Sequence, residues 1–147
     1  MKTKWTRSTS LLLLALLAAC TGVPGVPDEP GVPVEYGLVT LAQGEAITLP
    51  DGVNTLVFLD VVNDSRCPAD AVCVTGGQVQ VAFEMSGPAT QLQFVLTQGD
   101  LHNDDTTTLD LGGVVIELSD VQPYPLASVE RTAPWQVTVL VSPSDSQ

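Results

Sequence analysis

Hydrophobic and polar residues alternate with a period of two along most of the chain after residue 34. In residues 78–84, 91–96, 114–118 and 135–141, every second side chain is Val, Leu, Ile, Phe or Trp. Alternation with this period, rich in β-branched and aromatic residues, predicts half-buried strands. We expect earlier strands at 34–41, around Ile47, and at 56–61. No stretch in this part of the chain shows a helical stripe of useful length.

Turn signals separate these strands: P-D-G at 50–52, S-G-P at 86–88 and G-G at 112–113. Seven or eight short strands in roughly 110 residues are typical of an all-β domain. We therefore predict an antiparallel β-sandwich, Ig-like in general form. A small barrel has the same strand spacing and stays open as an alternative.

The N-terminus has the pattern of an export signal. Three basic residues within the first seven precede an apolar run at 11–17, followed by small residues. The run is too short to span a bilayer stably. The ending Leu17-Ala18-Ala19-Cys20 resembles the lipobox of bacterial lipoproteins. That resemblance implies cleavage after Ala19 and acylation of Cys20, with several acyl chains (palmitate among them) as a lasting membrane anchor.

The chain then divides into a tether, one domain and a short tail. Residues 20–34 hold the near-repeat V-P-G-V-P and almost no large apolar residue, which predicts a semi-extended spacer. Residues 35–143 have the length of one ordinary domain. We expect residues 144–147 to be a disordered tail.

Removal of residues 1–19 makes the protein strongly acidic. Three of the five basic side chains lie there and none of the seventeen acids, so two cations against seventeen acids leave a net charge of −15. Arg66 and Arg131 are the two cations. Such a surface repels nucleic acid and anionic lipid headgroups, and it attracts cations or basic proteins.

A loop with two cysteines, N-D-S-R-C-P-A-D-A-V-C-V-T-G-G at 63–77, is the main candidate site. In an oxidising compartment, with Cys20 acylated, we expect a disulfide between Cys67 and Cys73. Redox catalysis favours two residues between its cysteines, and zinc needs more ligands than this loop supplies. A pinned loop on a rigid scaffold can be a binding element. Its candidate binding residues are Asp64, Ser65, Arg66, Pro68 and Asp70.

Arg66 has two alternative roles in this loop. It can pair with a nearby carboxylate such as Asp64, because carboxylates greatly outnumber the two cationic side chains. It can instead present its guanidinium to an acidic ligand.

The pattern D-S-R-C-P, four residues and then C-V-T-G-G, starting at Asp64, resembles a family of small uncharacterised bacterial lipoproteins. The run V-Q-P-Y-P at 121–125 resembles that family's second signature, and the similarity extends over residues 44–142. The resemblance implies a lipid-anchored β domain with Cys67 bonded to Cys73. It implies no particular activity. This chain has Thr75 where the family usually has Trp, so a role for that indole does not carry over.

The stretch Q-G-D-L-H-N-D-D-T-T-T-L-D at 98–110 is rich in carboxylates, and Asp100, Asp104 and Asp105 are weak candidates for calcium ligands. The EF-hand template fails, because Asp105 occupies its glycine position and Leu111 its glutamate position. We expect a hydrated acidic hairpin tip instead. With a single histidine, His102, and no G-x-S-x-G, no catalytic triad is evident. We expect no enzyme activity and no cofactor.

These observations favour a non-catalytic binding or structural module anchored in a bacterial cell envelope. The first alternative is an inhibitor or accessory subunit that inserts the cysteine-containing loop into a partner protein. The second alternative is an acidic calcium-binding module. Thr21 follows the anchor where an aspartate marks inner-membrane retention in some bacteria, which favours the outer membrane. A periplasmic and a surface-exposed face are equally compatible with the sequence.

Overall fold

Two stacked β-sheets form the domain in the computed structural model, which describes residues 31–144. The predicted signal peptide and Cys20 lie outside these residues. Within them the chain is all-β and contains no helix long and apolar enough to cross a membrane. The strands are β1 Val32–Pro33, β2 Gly37–Ala42, β3 Ala46–Thr48, β4 Thr55–Asp64, β5 Gln78–Gly87, β6 Thr90–Gly99, β7 Thr108–Asp110, β8 Val114–Gln122 and β9 Gln136–Pro143.

The sheets have the strand orders β1-β3-β4-β5-β6 and β2-β9-β8-β7. All neighbours are antiparallel except β1 and β3. The prediction of an antiparallel sandwich is confirmed. The two sheets are separate in strand order, which distinguishes the sandwich from a closed barrel.

The core lies between the sheets and is built from the alternating positions that the sequence predicts. Phe58, Phe83 and Phe94 form a row across β4, β5 and β6, with neighbouring ring centroids 6.0 and 5.7 Å apart. Fully buried aliphatic side chains from both sheets close around this row: Leu41, Leu56, Val79, Val81, Leu96, Ile116, Val121, Val137, Val139 and Val141.

The nine strands are slightly more than the seven or eight predicted, and β1 and β7 are the additional ones. β1 lies in the last residues of the predicted tether, where Val32 and Pro33 pair with Ile47 and Thr48. Gly31 is needed there, because a Cβ at this position would meet the backbone of Ile47 at 2.5 Å. β7 has only three residues, too few for an alternation to register.

The ends of the domain therefore lie slightly outside the predicted bounds. Residues 31–34 belong to the sheet rather than to the tether. Ser144, expected in the disordered tail, donates from its hydroxyl to Asp110 at 2.7 Å and from its N–H to the Gly113 carbonyl at 3.1 Å. The residues beyond it, 145–147, lie outside those described.

Bulges bend two strands near one end of the sandwich. β4 shifts register between Phe58 and Asp60 and again further on, and β8 shifts after Leu118. Bulges increase local twist and redirect the strand that follows. They occur just before Asp64 and Val121, the two positions from which the candidate site is built.

Candidate functional site

The cysteine loop, residues 65–77, joins β4 to β5 at this end of the sandwich. Cys67 and Cys73 are bonded as predicted, with Cα atoms 5.8 Å apart. The Cys67 N–H donates to the Gly76 carbonyl at 2.7 Å, and the Ala71 N–H to the Pro68 carbonyl at 3.0 Å. Pro68 thus lies in a turn inside the disulfide ring, and the ring has its own hydrogen bonds.

The base of the cysteine loop is closed by two residues. The Ser65 N–H donates to the Gln78 carbonyl at 2.8 Å, and the Gln78 N–H donates to the Ser65 hydroxyl at 3.2 Å. Gly77 has φ of +70°, and a Cβ there would overlap the Ser65 carbonyl. Only glycine combines this backbone angle with so close an approach. Ser65 and Gly77 therefore have structural roles in closing the loop.

Arg66 is buried and pairs with Asp64, as one of the two alternatives expected. Its Nε and one terminal nitrogen each donate to a carboxylate oxygen of Asp64 at 2.8 Å. The side chains are only 5 % and 15 % exposed. A bidentate pair of this kind is both strong and geometrically specific. The guanidinium is thus engaged inside the domain.

The same guanidinium reaches the segment that follows β8. Its other terminal nitrogen donates to the Val121 carbonyl at 2.7 Å, and the nitrogen shared with Asp64 donates to the Pro123 carbonyl at 3.2 Å. The guanidinium carbon lies 4.7 Å from the ring centroid of Tyr124. Arg66 therefore links the D-S-R-C-P run to the V-Q-P-Y-P run.

Asp70 makes a second link between the cysteine loop and the segment 123–130, which we call the proline segment. Its carboxylate accepts the N–H groups of Ala127 at 2.6 Å and Ser128 at 3.1 Å. The Ala69 N–H donates to the Pro125 carbonyl at 3.0 Å. Hydrogen bonds from the Ser128 side chain and from the Ala127 N–H lower the pKa of Asp70 below its ordinary value. Asp70 is thus a structural carboxylate.

Large apolar side chains project into solvent from both linked segments. Val72 and Val74, inside and just after the disulfide ring, are completely exposed. On the proline segment, Tyr124, Leu126 and Val129 are 44 %, 46 % and 59 % exposed. We call these five residues the tip surface. Exposed apolar side chains scattered singly are ordinary, whereas large contiguous apolar patches are typical of interaction sites.

A groove of about 170 Å³ runs beside the tip surface, between residues 123–126 and 129–133. Trp135, which is 8 % exposed, lines a second pocket that shares Pro123, Leu126 and Arg131 with this groove. The Arg131 guanidinium carbon stands 4.0 Å from the Trp135 ring centroid, a distance typical of a cation–π contact. The groove is lined mostly by apolar side chains, with Glu130 and Arg131 as its charged residues.

The acidic stretch is not a hairpin, so that prediction is wrong. Residues 100–107 cross from β6 in one sheet to β7 in the other, and the Thr97 N–H donates to the Thr106 carbonyl at 2.7 Å. The strand that follows, β7, pairs with β8 in the second sheet.

The three weak calcium candidates have different surroundings. Asp105 accepts the His102 N–H at 2.9 Å and the Gln80 amide at 3.2 Å, while Asp100 accepts the Gly77 N–H at 2.9 Å. Asp104 is exposed. Among residues 31–144, no three His, Cys, Asp or Glu side chains are grouped so that they could hold a metal ion.

Comparison of the chain with protein-family models, with curated proteins and with solved structures finds no match. The resemblance to small bacterial lipoproteins therefore stays a prediction from the residues. The candidate site is accordingly defined by its geometry alone.

Proposed function

We propose that this protein is a non-catalytic binding module, anchored in a bacterial envelope by lipid on Cys20, that holds a protein partner on its tip surface. The complete exposure of Val72 and Val74 on a cross-linked loop is the observation that carries the proposal. An exposed valine gains from burial only when another molecule covers it.

The construction of the site supports binding over a purely structural role. The disulfide, the Arg66 contacts and the Asp70 contacts hold the cysteine loop in one arrangement. A loop that is already ordered loses little conformational entropy when it binds. A structural staple needs the disulfide and Arg66, but it does not need valines directed into solvent.

The expected partner is an envelope protein with an apolar cleft. The valines on the cysteine loop project fully into solvent. The domain that carries them has many carboxylates and two arginines. An apolar cleft with a basic rim is the complementary surface. The inhibitor or accessory-subunit alternative is a special case of this proposal, in which the cleft is the active or regulatory site of the partner. A calcium role has less support, because no three possible metal ligands are grouped among residues 31–144.

The proposed lipid anchor is based on the sequence pattern of the N-terminus. The L-A-A-C run resembles a lipobox, and the following Pro- and Gly-rich residues are typical of a tether; both support the proposed lipid anchor. We place the domain at the outer membrane, on its periplasmic or surface side.

Replacement of both exposed valines, Val72→Ser with Val74→Ser, tests the binding proposal. The full chain is expressed in its membrane, cross-linked and isolated, and captured envelope proteins are compared with those of a Leu38→Ser control. Leu38 is 69 % exposed on β2, far from the cysteine loop in the sequence. Each valine buried on binding is worth about 1.5 kcal/mol or more, so the double variant is expected to lose at least about tenfold in affinity. Equal capture by the double variant and the control would contradict the proposal.

A further inference from the structure

β6 is a long edge strand with one side open. It is the last strand of its sheet, and within the described residues only Thr97, near its end, has its outward N–H bonded, to Thr106. Backbone groups alternate in direction along a strand. The N–H and C=O groups of Gln91, Gln93 and Val95 therefore point outward on the same side as the Thr97 N–H. An open row of this kind is a template for another strand.

The protections that usually prevent pairing at an edge are missing from β6. No charged residue lies between Glu84 and Asp100, and the strand contains neither lysine nor proline. Leu92 and Val95 are 40 % and 42 % exposed on its two faces. Natural edge strands are commonly blocked by charge, by proline or by a bulge. In so acidic a protein, this uncharged edge stands out.

We propose that the β6 edge pairs with the β6 edge of a second copy of this chain, so that two five-stranded sheets become one continuous sheet. Antiparallel pairing about a two-fold axis at Gln93, the middle of the open row, brings Gln93 of each copy together. It sets Gln91 of each copy opposite Val95 of the other. These are hydrogen-bonded positions in an antiparallel ladder, since their backbone groups point outward.

The side chains of this pairing are self-complementary. Leu92 of one copy lies beside Phe94 of the other on the inner face, and glutamine lies beside valine on the outer face. No carboxylate enters the seam, because Glu84 is 3 % exposed and accepts the amides of Gln93 at 2.7 Å and Gln91 at 3.4 Å. A second copy suits this neutral edge, whereas a basic segment would find no charge to match on β6.

The proposed pairing also determines where the two tip surfaces lie in the dimer. β6 runs toward the tip end, where Gly99 neighbours the start of β5. Antiparallel pairing therefore puts the two tip surfaces at opposite ends of the dimer. Each tip surface stays open, so this inference stands independently of the proposed function.

Substitutions at Gln93 separate backbone pairing from side-chain effects. The full chain is extracted in detergent, and its protein mass is determined by sedimentation. Parent and Gln93→Ala are expected to be dimers, because alanine keeps the outward N–H. Both variants lose the side-chain bond to Glu84, but Gln93→Pro also removes the outward N–H while keeping the backbone bonds to β5. It is therefore expected to weaken association at least about tenfold relative to Gln93→Ala, with little difference in melting between the two variants. A monomeric parent, or a dimeric and folded Gln93→Pro, would overturn the proposal.

Cross-linking tests the proposed pairing of two β6 edges even if Gln93→Pro fails to fold. The Gln93→Cys chain in its membrane is expected to form a reducible dimer on mild oxidation, since the two-fold axis brings this position against itself. Val62→Cys, exposed on β4 away from the edge, is the matched control and is expected to stay monomeric. Equal yields for the two variants would overturn the proposal.

Salt dependence gives an independent check. Two acidic copies repel each other, so raising NaCl from about 50 to about 500 mM is expected to strengthen association. Weakening by salt would contradict pairing through a neutral edge.

Discussion

The guanidinium of Arg66 and the carboxylate of Asp64 meet in two parallel hydrogen bonds of 2.8 Å, two residues apart at the end of β4. The remaining donors of Arg66 reach the carbonyls of Val121 and Pro123, more than fifty residues further along the chain. One buried cation thus aligns the cysteine loop and the proline segment. Because these segments bear the tip surface, the pair determines the geometry of the proposed binding site.

Replacement of Arg66 by lysine should not preserve this arrangement. A single ammonium cannot form the two-pronged bond to Asp64 and reach Val121 and Pro123 at once. Removing the cation leaves Asp64 uncompensated, so we expect Arg66→Ala to lose about 3 kcal/mol in the free energy of unfolding. Arg66→Lys keeps the charge but leaves backbone carbonyls unpaired, so we expect it to lose about 1 to 2 kcal/mol. Urea denaturation measures both. If Arg66→Lys were as stable as the parent, a positive charge alone would be sufficient for stability, and the two-pronged bond to Asp64 would not be needed.

The Asp70 contacts should be sensitive to acid. Hydrogen bonds from the Ser128 side chain and the Ala127 N–H lower the pKa of Asp70 in the folded protein. A lowered pKa means that the contacts are complete above the carboxyl's ordinary value of 3.8 and disappear as pH falls through the lower folded value. We expect the amide resonances of Ala127 and Ser128 to titrate together below 3.8 in NMR spectra.

The matched control for that titration is Asp70→Asn, which should abolish the shared transition because an amide does not ionise in this range. It should also reduce protection of the Ala127 amide from hydrogen exchange near neutral pH. Persistence of the transition in Asp70→Asn would assign it to another carboxylate.

The Cys67–Cys73 bond should contribute modestly to global stability. Closure of so short a ring removes chain entropy worth about 2 kcal/mol from the unfolded state. We expect Cys67→Ser with Cys73→Ser to lower the free energy of unfolding by that amount while the far-ultraviolet circular dichroism of the sheets is unchanged. The isosteric serines keep the loop length constant. Loss of the sheet signal would show that the bond is required for the fold rather than for the loop.

Gly77 should tolerate substitution much less well than another glycine of similar backbone angle. Gly77→Ala combines φ of +70° with overlap of the Ser65 carbonyl, whereas Gly44→Ala has φ of +80° and open space. We expect Gly44→Ala to cost about 1 kcal/mol and Gly77→Ala at least about 3 kcal/mol. Thermal and urea unfolding of both variants compare them directly. Equal costs would mean that the loop base can relax.

The sandwich could be predicted because its strands follow a simple rule. Val79, Val81, Ile116, Leu118 and the residues of β9 alternate, and the structure buries the apolar member each time. β1 and β7 escaped prediction because two or three residues carry no period. The hairpin predicted for the acidic stretch was wrong because the next strand, β7, pairs with β8 in the other sheet, and no local pattern encodes that choice.

The candidate site could be predicted only in part. The scarcity of cations made pairing of Arg66 with Asp64 one of two alternatives, and compartment and cysteine count predicted the disulfide. The bonds from Arg66 to the Val121 and Pro123 carbonyls join residues distant in sequence, so sequence proximity could not reveal them. Asp70 was a candidate binding residue, and its actual partners are backbone amides. The exposure of Val72 and Val74 was missed, although two valines flanking Cys73 in a polar loop were a usable signal.

The central claim is that a partner covers the valines of the cysteine loop. A photoreactive amino acid placed at Val74 of the full chain tests this most directly in the intact envelope, with the same substitution at Leu38 as the control. The account predicts a discrete cross-linked protein from position 74 that is absent from position 38 and lost on Arg66→Ala. Cross-links of equal pattern from both positions, or none at 74 in a properly anchored chain, would contradict it.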